Sequence, residues 1–382
     1  MVTVKGRKSS NKNPPIFSHD FIIQNHADIV SCIAMVFVIG LMIQVTSPWA
    51  YIFIALQHNI SAIDQQQETD VHWQFATGWK DYCAVFFYFL IVIVMHAVIQ
   101  EYILDKISKR LHLSKVKLSK FNESSQLAVF FTLSAIWGID IIIRDNLVLG
   151  VHSLWESYPL FMSFSMKLFF IIQLAYWLHC YPELYFQKIK KEEIGAKVFQ
   201  ATVGLFFTLT AYFFNFQHIT VMLLVCHYIG DLFQHGARLM HIVYRKEHIT
   251  RVAFLIANFI YVLVRVLTVI GAATFYIYGL SKVQSLLDYS IGNFNAPVVR
   301  FSAFGLVLLF QAYLLYDFMK RQSLRTKDSS TSSVTAVKAK SKQQKLKKKE
   351  NKKSMTSEDD DLPEVDQATK KNLRSRSAIK TK

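Results

Sequence analysis

Charge is scarce in this chain of 382 residues: 18% are charged, against 52% hydrophobic and 14% aromatic. The segment after Arg321 is strongly polar, so the remainder is more apolar still, which argues against an ordinary soluble globular enzyme. Acidic residues are the scarcer sign, with 27 Asp+Glu against 43 Lys+Arg and a net charge of +16. In so apolar a chain that basic excess must sit in loops and tails. Cysteine is nearly absent. Cys32, Cys83, Cys180 and Cys226 all lie in apolar runs, with no CxxC pair and no Cys/His cluster of metal spacing. Neither a disulfide framework nor a zinc motif is indicated.

What the chain does have is apolar runs of about 20 residues, the length that crosses a hydrocarbon core. Eight are expected, over 28–46, 82–100, 126–143, 161–181, 198–214, 219–237, 252–275 and 297–319. The fourth is diluted by Ser163, Ser165 and Lys167, and the fifth is short, joined to the sixth by Asn215 to His218 in a tight helical hairpin. Short cytosolic loops collect Lys and Arg. Lys5, Arg7, Lys8 and Lys12 precede span one; Lys106, Lys109, Arg110, Lys115, Lys117 and Lys120 follow span two. Lys188, Lys190, Lys191 and Lys197 follow span four, and Arg238, Arg245, Lys246 and Arg251 follow span six. The intervening loops hold Asp64, Glu68 and Asp70 with Lys80 alone at the end, or no basic residue between Asp145 and Pro159. Both termini are therefore expected in the cytosol.

The first span follows a long polar segment and lacks a small-x-small cleavage site, so it reads as a retained signal anchor. Asn59-Ile60-Ser61 in the first lumenal loop is a glycosylation sequon; Asn122-Glu123-Ser124 matches by chance on the cytosolic side. Trp49, Tyr51, Trp73, Trp79, Trp155 and Tyr158 flank the spans as interface anchors. The tail holds Lys345, Lys347, Lys348 and Lys349, then Glu358 to Asp361, with Ser357 before the acidic patch, and has no apolar period. It is expected to be disordered.

An ionisable side chain at membrane depth costs about 2.5 to 3.5 kcal/mol on insertion scales, so each such residue needs a partner, water or a role. His227, Asp231, His235 and Arg238 share one stripe of span six. Span four ends with His179 and Glu183 around Pro182, which should kink or stop the helix. Span two ends with His96, Gln100 and Glu101, and span seven carries Asn258 and Arg265. The candidate site is a polar groove on the cytosolic side lined by His179, Glu183, His227, Asp231, His235 and Arg265. It could serve interhelical pairing alone, for example Asp231 with Arg238 or Arg265; it could bind a lipid or peptide; or it could use a histidine as general base. No metal is expected: three converging ligands are needed, and His227 and His235 are two turns apart.

Longer strings carry a resemblance. Gln24-Asn-His-Ala-Asp-Ile-Val-Ser-Cys32, His96-Ala-Val-Ile-Gln-Glu-Tyr-Ile-Leu-Asp-Lys106, Lys120-Phe-Asn-Glu-Ser124, Gln173-Leu-Ala-Tyr-Trp-Leu-His179, Pro182-Glu-Leu-Tyr-Phe-Gln-Lys188 and Gly292-Asn-Phe-Asn295 resemble the translocating chain-associated membrane protein family. The resemblance implies an all-α polytopic protein of the endoplasmic reticulum membrane, standing beside the Sec translocon and assisting nascent signal sequences and transmembrane segments. It implies a TLC domain of six transmembrane helices over 117–327, after a segment 1–27 and a two-helix unit 28–116 with a glycan on Asn59, and before the basic cytosolic tail 328–382. Ceramide synthases share that domain, and their acyl-transfer motif has two adjacent histidines. This sequence has no such pair, and Tyr228 follows His227 where their His-Asp-x-x-Asp motif has an aspartate. The expectation is a non-catalytic protein without cofactors, whose partners are the translocon, its clients and membrane lipids, with no direct nucleic-acid readout; lipid sensing or N-acyl transfer in the same cavity is the alternative.

Overall fold

The computed structural model describes residues 18–60 and 73–324, apart from 149, 157, 188, 190 and 245. The first helix, α1 (His19–Met42), opens at Ser18, whose hydroxyl accepts the Phe21 N–H at 3.2 Å. It starts well before the apolar run at residue 28, because a good N-cap with Asp20 in the first turn supports a polar extension that hydropathy alone does not register. A short α2 (Ser47–Ile54) follows, with Pro48 in its first turn. Then come α3 (Asp81–Leu111), α4 (Lys115–Arg144), α5 (Phe164–Phe186), α6 (Lys191–Phe213), α7 (Gln217–Val243), α8 (Glu247–Gly279) and α9 (Pro297–Leu324). Among the described residues, strands are limited to two antiparallel pairs, β1 (Gln74–Phe75) with β2 (Met162–Ser163) and β3 (Leu287–Asp288) with β4 (Asn293–Phe294).

Among the described residues, six helices are long and apolar enough to cross a membrane: α1, α3, α4, α6, α8 and α9. The other two expected spans, α5 and α7, are 23 and 27 residues long but too polar to qualify. Their position explains their composition. α3 packs on α1, α2 and α5; α5 packs also on α6; α7 packs most extensively on α8 and α4. Buried positions of α5 include Lys167, Gln173 and His179, and those of α7 include His218, Gln234 and His235, whereas α1 buries Ala34 alone. A helix walled in by protein can carry polar side chains that pair with neighbours, and a lipid-facing one cannot. The main apolar core runs through the same helices, from Phe131 and Phe169 to Tyr228 and Phe275.

Several local expectations change. Pro182 neither stops α5 nor breaks its helical course, since the helix runs on to Phe186; the cost is local to the missing Pro182 N–H. The basic stretch after the second span is mostly helix, since α3 continues to Leu111 and α4 starts at Lys115. α3 passes through a π segment at Ile99–Leu104. The α6–α7 connection is tight, with Asn215 in the left-handed region (φ 58°) and its amide donating to Gly292 O at 2.7 Å. Yet α7 turns away from α6 to lie on α4 and α8. Trp49, Trp73 and Trp79 are exposed as interface residues should be, but Trp155 and Tyr158 are core: Trp155 lies over Gly279, and the Tyr158 hydroxyl donates to Phe214 O at 2.8 Å.

The packed unit ends at Leu315; beyond it, Asp317 and Arg321 pair at 2.6 Å along the last turns of α9. Lys5, Arg7, Lys8, Lys12, Ser61, Asp64, Glu68, Asp70, Lys188, Lys190, Arg245 and the tail 328–382 lie outside the described residues.

Candidate functional site

The polar residues expected in one groove form two clusters. The first joins α7, α8 and α9. Arg265 on α8 is 1% exposed, and its Nη1 donates to His227 Nδ1 at 2.6 Å. Its Nη2 meets Asp231 Oδ1 at 3.3 Å, and Gln311 Oε1 on α9 lies 3.5 Å from Nη1. His227 Nε2 is 3.1 Å from Asp231 Oδ2. Arginine has only donors, so His227 Nδ1 is the acceptor and Nε2 carries the proton given to Asp231. Both imidazole nitrogens are committed, leaving no lone pair on His227 for a general base. The guanidinium lies 4.5 Å from the Tyr261 ring centroid, and Gly230 makes room for it: a Cβ there would stand 3.2 Å from Arg265 Nη2 and 2.7 Å from Val264 Cγ2. Of the two arginines considered for Asp231, Arg265 is in contact with it. The His227 and Asp231 side chains are 16% and 20% exposed, so the cluster can be approached from outside while Arg265 is enclosed behind it.

The second cluster joins α3 and α5. His96 Nε2 lies 3.1 Å from Glu183 Oε1, and His96 Nδ1 lies 3.2 Å from His179 Nε2. His179 Nδ1 donates to Tyr176 O at 2.6 Å, and Gln187 Nε2 donates to Glu183 Oε1 at 2.8 Å. Gln126 on α4 donates to the His96 carbonyl at 3.3 Å and to Gln100 Oε1 at 3.1 Å.

An aromatic wall separates the two. Phe130 stacks on Tyr176 with centroids 3.3 Å apart and meets Tyr228 edge-on at 5.5 Å. The Tyr228 hydroxyl donates to Gln173 Oε1 at 2.7 Å, and Gln173 Nε2 donates to Ser134 at 3.0 Å. Tyr228 is thus a core side chain with its polar tip satisfied, where an aspartate would bring an unpaired charge into an apolar shell. His235 faces α4. It is buried, with its ring 5.7 Å from Phe131 on α4, because eight residues along a helix rotate it away from the α8 side that His227 faces.

A third group lies at the other end of α5. Lys167 is fully buried; its Nζ pairs with Asp81 at 2.8 Å and donates to Gln57 O and Ala76 O, each at 2.7 Å. Tyr212 donates to the same carboxylate at 2.8 Å, and so does the Gly78 N–H at 2.9 Å. These bonds fasten the ends of the loop that carries Asn59, which itself bridges to Phe75. In that loop, burial pushes the His58 imidazole below its usual pKa of 6.5; Asp81 opposes the shift, and Lys167 and Lys80 reinforce it. In the sequence, Lys167 reads only as a dilution of its span. The only signal for more was a lone lysine among large apolar residues.

The family model of the TLC domain matches residues 120–320. Translocating chain-associated membrane protein 2 of Mus musculus is 42% identical over 318 residues, covering 81% of this chain and 83% of its own. Its Homo sapiens counterpart is 41% identical over 316 residues, with the same coverage. The chain belongs to the translocating chain-associated membrane protein family. It is an all-α, multi-pass membrane member of that family, and all three polar groups draw at least one side chain from its TLC domain. A more distant likeness, 24% identity over 163 residues and 42% of each chain, connects it with sphingosine N-acyltransferase lac1 of Schizosaccharomyces pombe (strain 972 / ATCC 24843).

Proposed function

We propose that this protein assists the insertion and translocation of nascent secretory and membrane proteins at the translocon of the endoplasmic reticulum, without catalysis. The identity to translocating chain-associated membrane proteins over four-fifths of the chain supports the process. The Arg265–Asp231–His227 cluster carries the mechanism. A charged group entering hydrocarbon costs about 2.5 to 3.5 kcal/mol. A preformed guanidinium–carboxylate–imidazole set with two of its members partly exposed offers such a group hydrogen bonds, and lowers that cost where α7, α8 and α9 meet. His179 and Glu183 would extend the polar path beyond the Tyr176–Phe130 wall, and His235 would buttress α7 from behind.

In this reading the bundle has eight spans: α5 and α7 cross as interior helices, with the six apolar ones around them. Both termini face the cytosol, and the Asn59 loop faces the lumen. A glycan removed by Asn59→Gln, seen as a faster-migrating band, tests that orientation, and a band unchanged by the substitution refutes it. The acyl-transfer alternative is disfavoured by the commitment of both His227 nitrogens and by Tyr228 in the core.

The functional test is site-specific photocrosslinking of a stalled nascent chain in membranes holding wild type or Asp231→Leu at matched levels. Adducts that fade in the variant, most for weakly hydrophobic signal sequences, are expected. Undiminished adducts to a correctly inserted variant refute the role of the cluster.

A further inference from the structure

From the His96–His179–Glu183 cluster we infer that the protein has a divalent transition-metal site of the zinc type, joining α3 to α5. One ligand atom from each residue can be chosen so that all lie within 4.8 Å of one another. Metal–ligand bonds of about 2.0 to 2.2 Å give a tetrahedron with edges of about 3.3 Å, so the set has only to tighten by about 1.5 Å at its widest. One edge is already at that length, His96 Nε2 to Glu183 Oε1 at 3.1 Å or His96 Nδ1 to His179 Nε2 at 3.2 Å, according to which His96 nitrogen binds the ion.

Two of the three residues present lone pairs to the third. His179 is held as the Nδ1–H tautomer by the Tyr176 carbonyl, so its Nε2 presents a lone pair to His96. Glu183 presents carboxylate lone pairs from the other side. His96 lies between them, one ring nitrogen facing each. A metal ion meets the lone pairs of all three directly, and His179 and Glu183 carry the outer support that ligands need. The Tyr176 carbonyl fixes His179, the Gln187 amide fixes Glu183, and α4 reaches the backbone of His96 through Gln126.

Access and chemistry agree. His179 is 2% exposed, while the His96 and Glu183 side chains keep 15% and 13%, so the site is dry yet reachable. Two imidazoles and one carboxylate suit Zn2+ and its neighbours rather than Ca2+ or Mg2+, which take oxygen ligands, and a fourth position is left for water. Each helix departs from a regular α-helical ladder here, α3 at the π segment Ile99–Leu104 and α5 at Pro182, between its two ligands. The inference does not depend on how clients use the α7–α8–α9 cluster.

The test uses full-length protein purified without a histidine tag, with elemental analysis of retained zinc and, after chelation, titration with Co2+ as an optically active substitute. Expected are one zinc per chain and the visible bands of tetrahedral Co2+, both lost in His96→Ala, His179→Ala and the near-isosteric Glu183→Gln, and both kept in His248→Ala on the exposed start of α8. Gln187→Ala should weaken Co2+ affinity by about 10- to 100-fold. No zinc and no tetrahedral bands in the wild type, or equal metal in the wild type and a folded Glu183→Gln, would overturn the assignment and leave a proton-sharing network.

Discussion

Replacing Lys167 by methionine removes a cation that is fully buried and uses its ammonium on three oxygens: Asp81, Gln57 O and Ala76 O. Methionine fills nearly the same volume, so packing changes little and the loss is electrostatic. Asp81, 3% exposed, keeps the Tyr212 hydroxyl and the Gly78 N–H but loses its counter-ion. Breaking a buried pair from one side costs about 3 to 5 kcal/mol, because the remaining charge is neither hydrated nor compensated. Lys167→Met/Asp81→Asn should be milder than Lys167→Met. Asparagine keeps an oxygen for Tyr212 and Gly78 and carries no charge, so the double variant should recover at least about 1 kcal/mol, within the range of coupling for contacting residues. The assay is equilibrium unfolding in mixed detergent micelles, followed by tryptophan fluorescence. A single variant costing under about 1 kcal/mol, or a double variant costing the sum of the two singles, would refute the reasoning.

Two other substitutions separate close packing from open space on one helix: a Cβ at Gly204 would meet the Trp177 indole at 2.4 Å, whereas one at Gly195 meets nothing within 4 Å. Gly204→Ala is expected to destabilise by about 1 to 3 kcal/mol and Gly195→Ala to stabilise by up to about 1 kcal/mol in the same unfolding assay. The His58 loop predicts a pH effect. Its folded pKa lies below 6.5, so under that pH the unfolded chain binds more protons, and stability falls as pH drops from 6.5 toward the folded value. The measured stability between about pH 7.5 and about pH 5 should slope less in His58→Asn, a residue that tolerates the positive φ of 59° at that position. An identical slope would remove His58 as the cause.

Much of the architecture is legible without coordinates because the membrane forces it. A run such as Ala84 to Ile99 has one fate in hydrocarbon, a helix whose backbone bonds are internal, and basic residues gather where loops meet the cytosol. The family was legible too, in strings such as His96 to Lys106. Helix ends were less so: the Ser18 cap and the helical course of Lys115 to Asn122 depend on backbone hydrogen bonds that average hydropathy does not measure. The candidate site was legible only as a set of residue types. His179, Glu183, His227, Asp231 and Arg265 stood out because polar groups in apolar runs are costly, but their partners did not.

Partnership was decided by the tertiary structure. Hydropathy and spacing are properties of one helix, whereas His96 meets Glu183 across 87 positions, and Lys167 meets Gln57 across 110, because α3, α5 and the first loop are neighbours in space. The same adjacency put Tyr228 in the core, set His235 against Phe131 of α4, and made α5 and α7 interior helices polar enough to fall short of a membrane span by composition. The sequence by itself determined which segments leave water, through the transfer cost of each residue; packing determined which buried charges face one another, through distances that no single segment encodes.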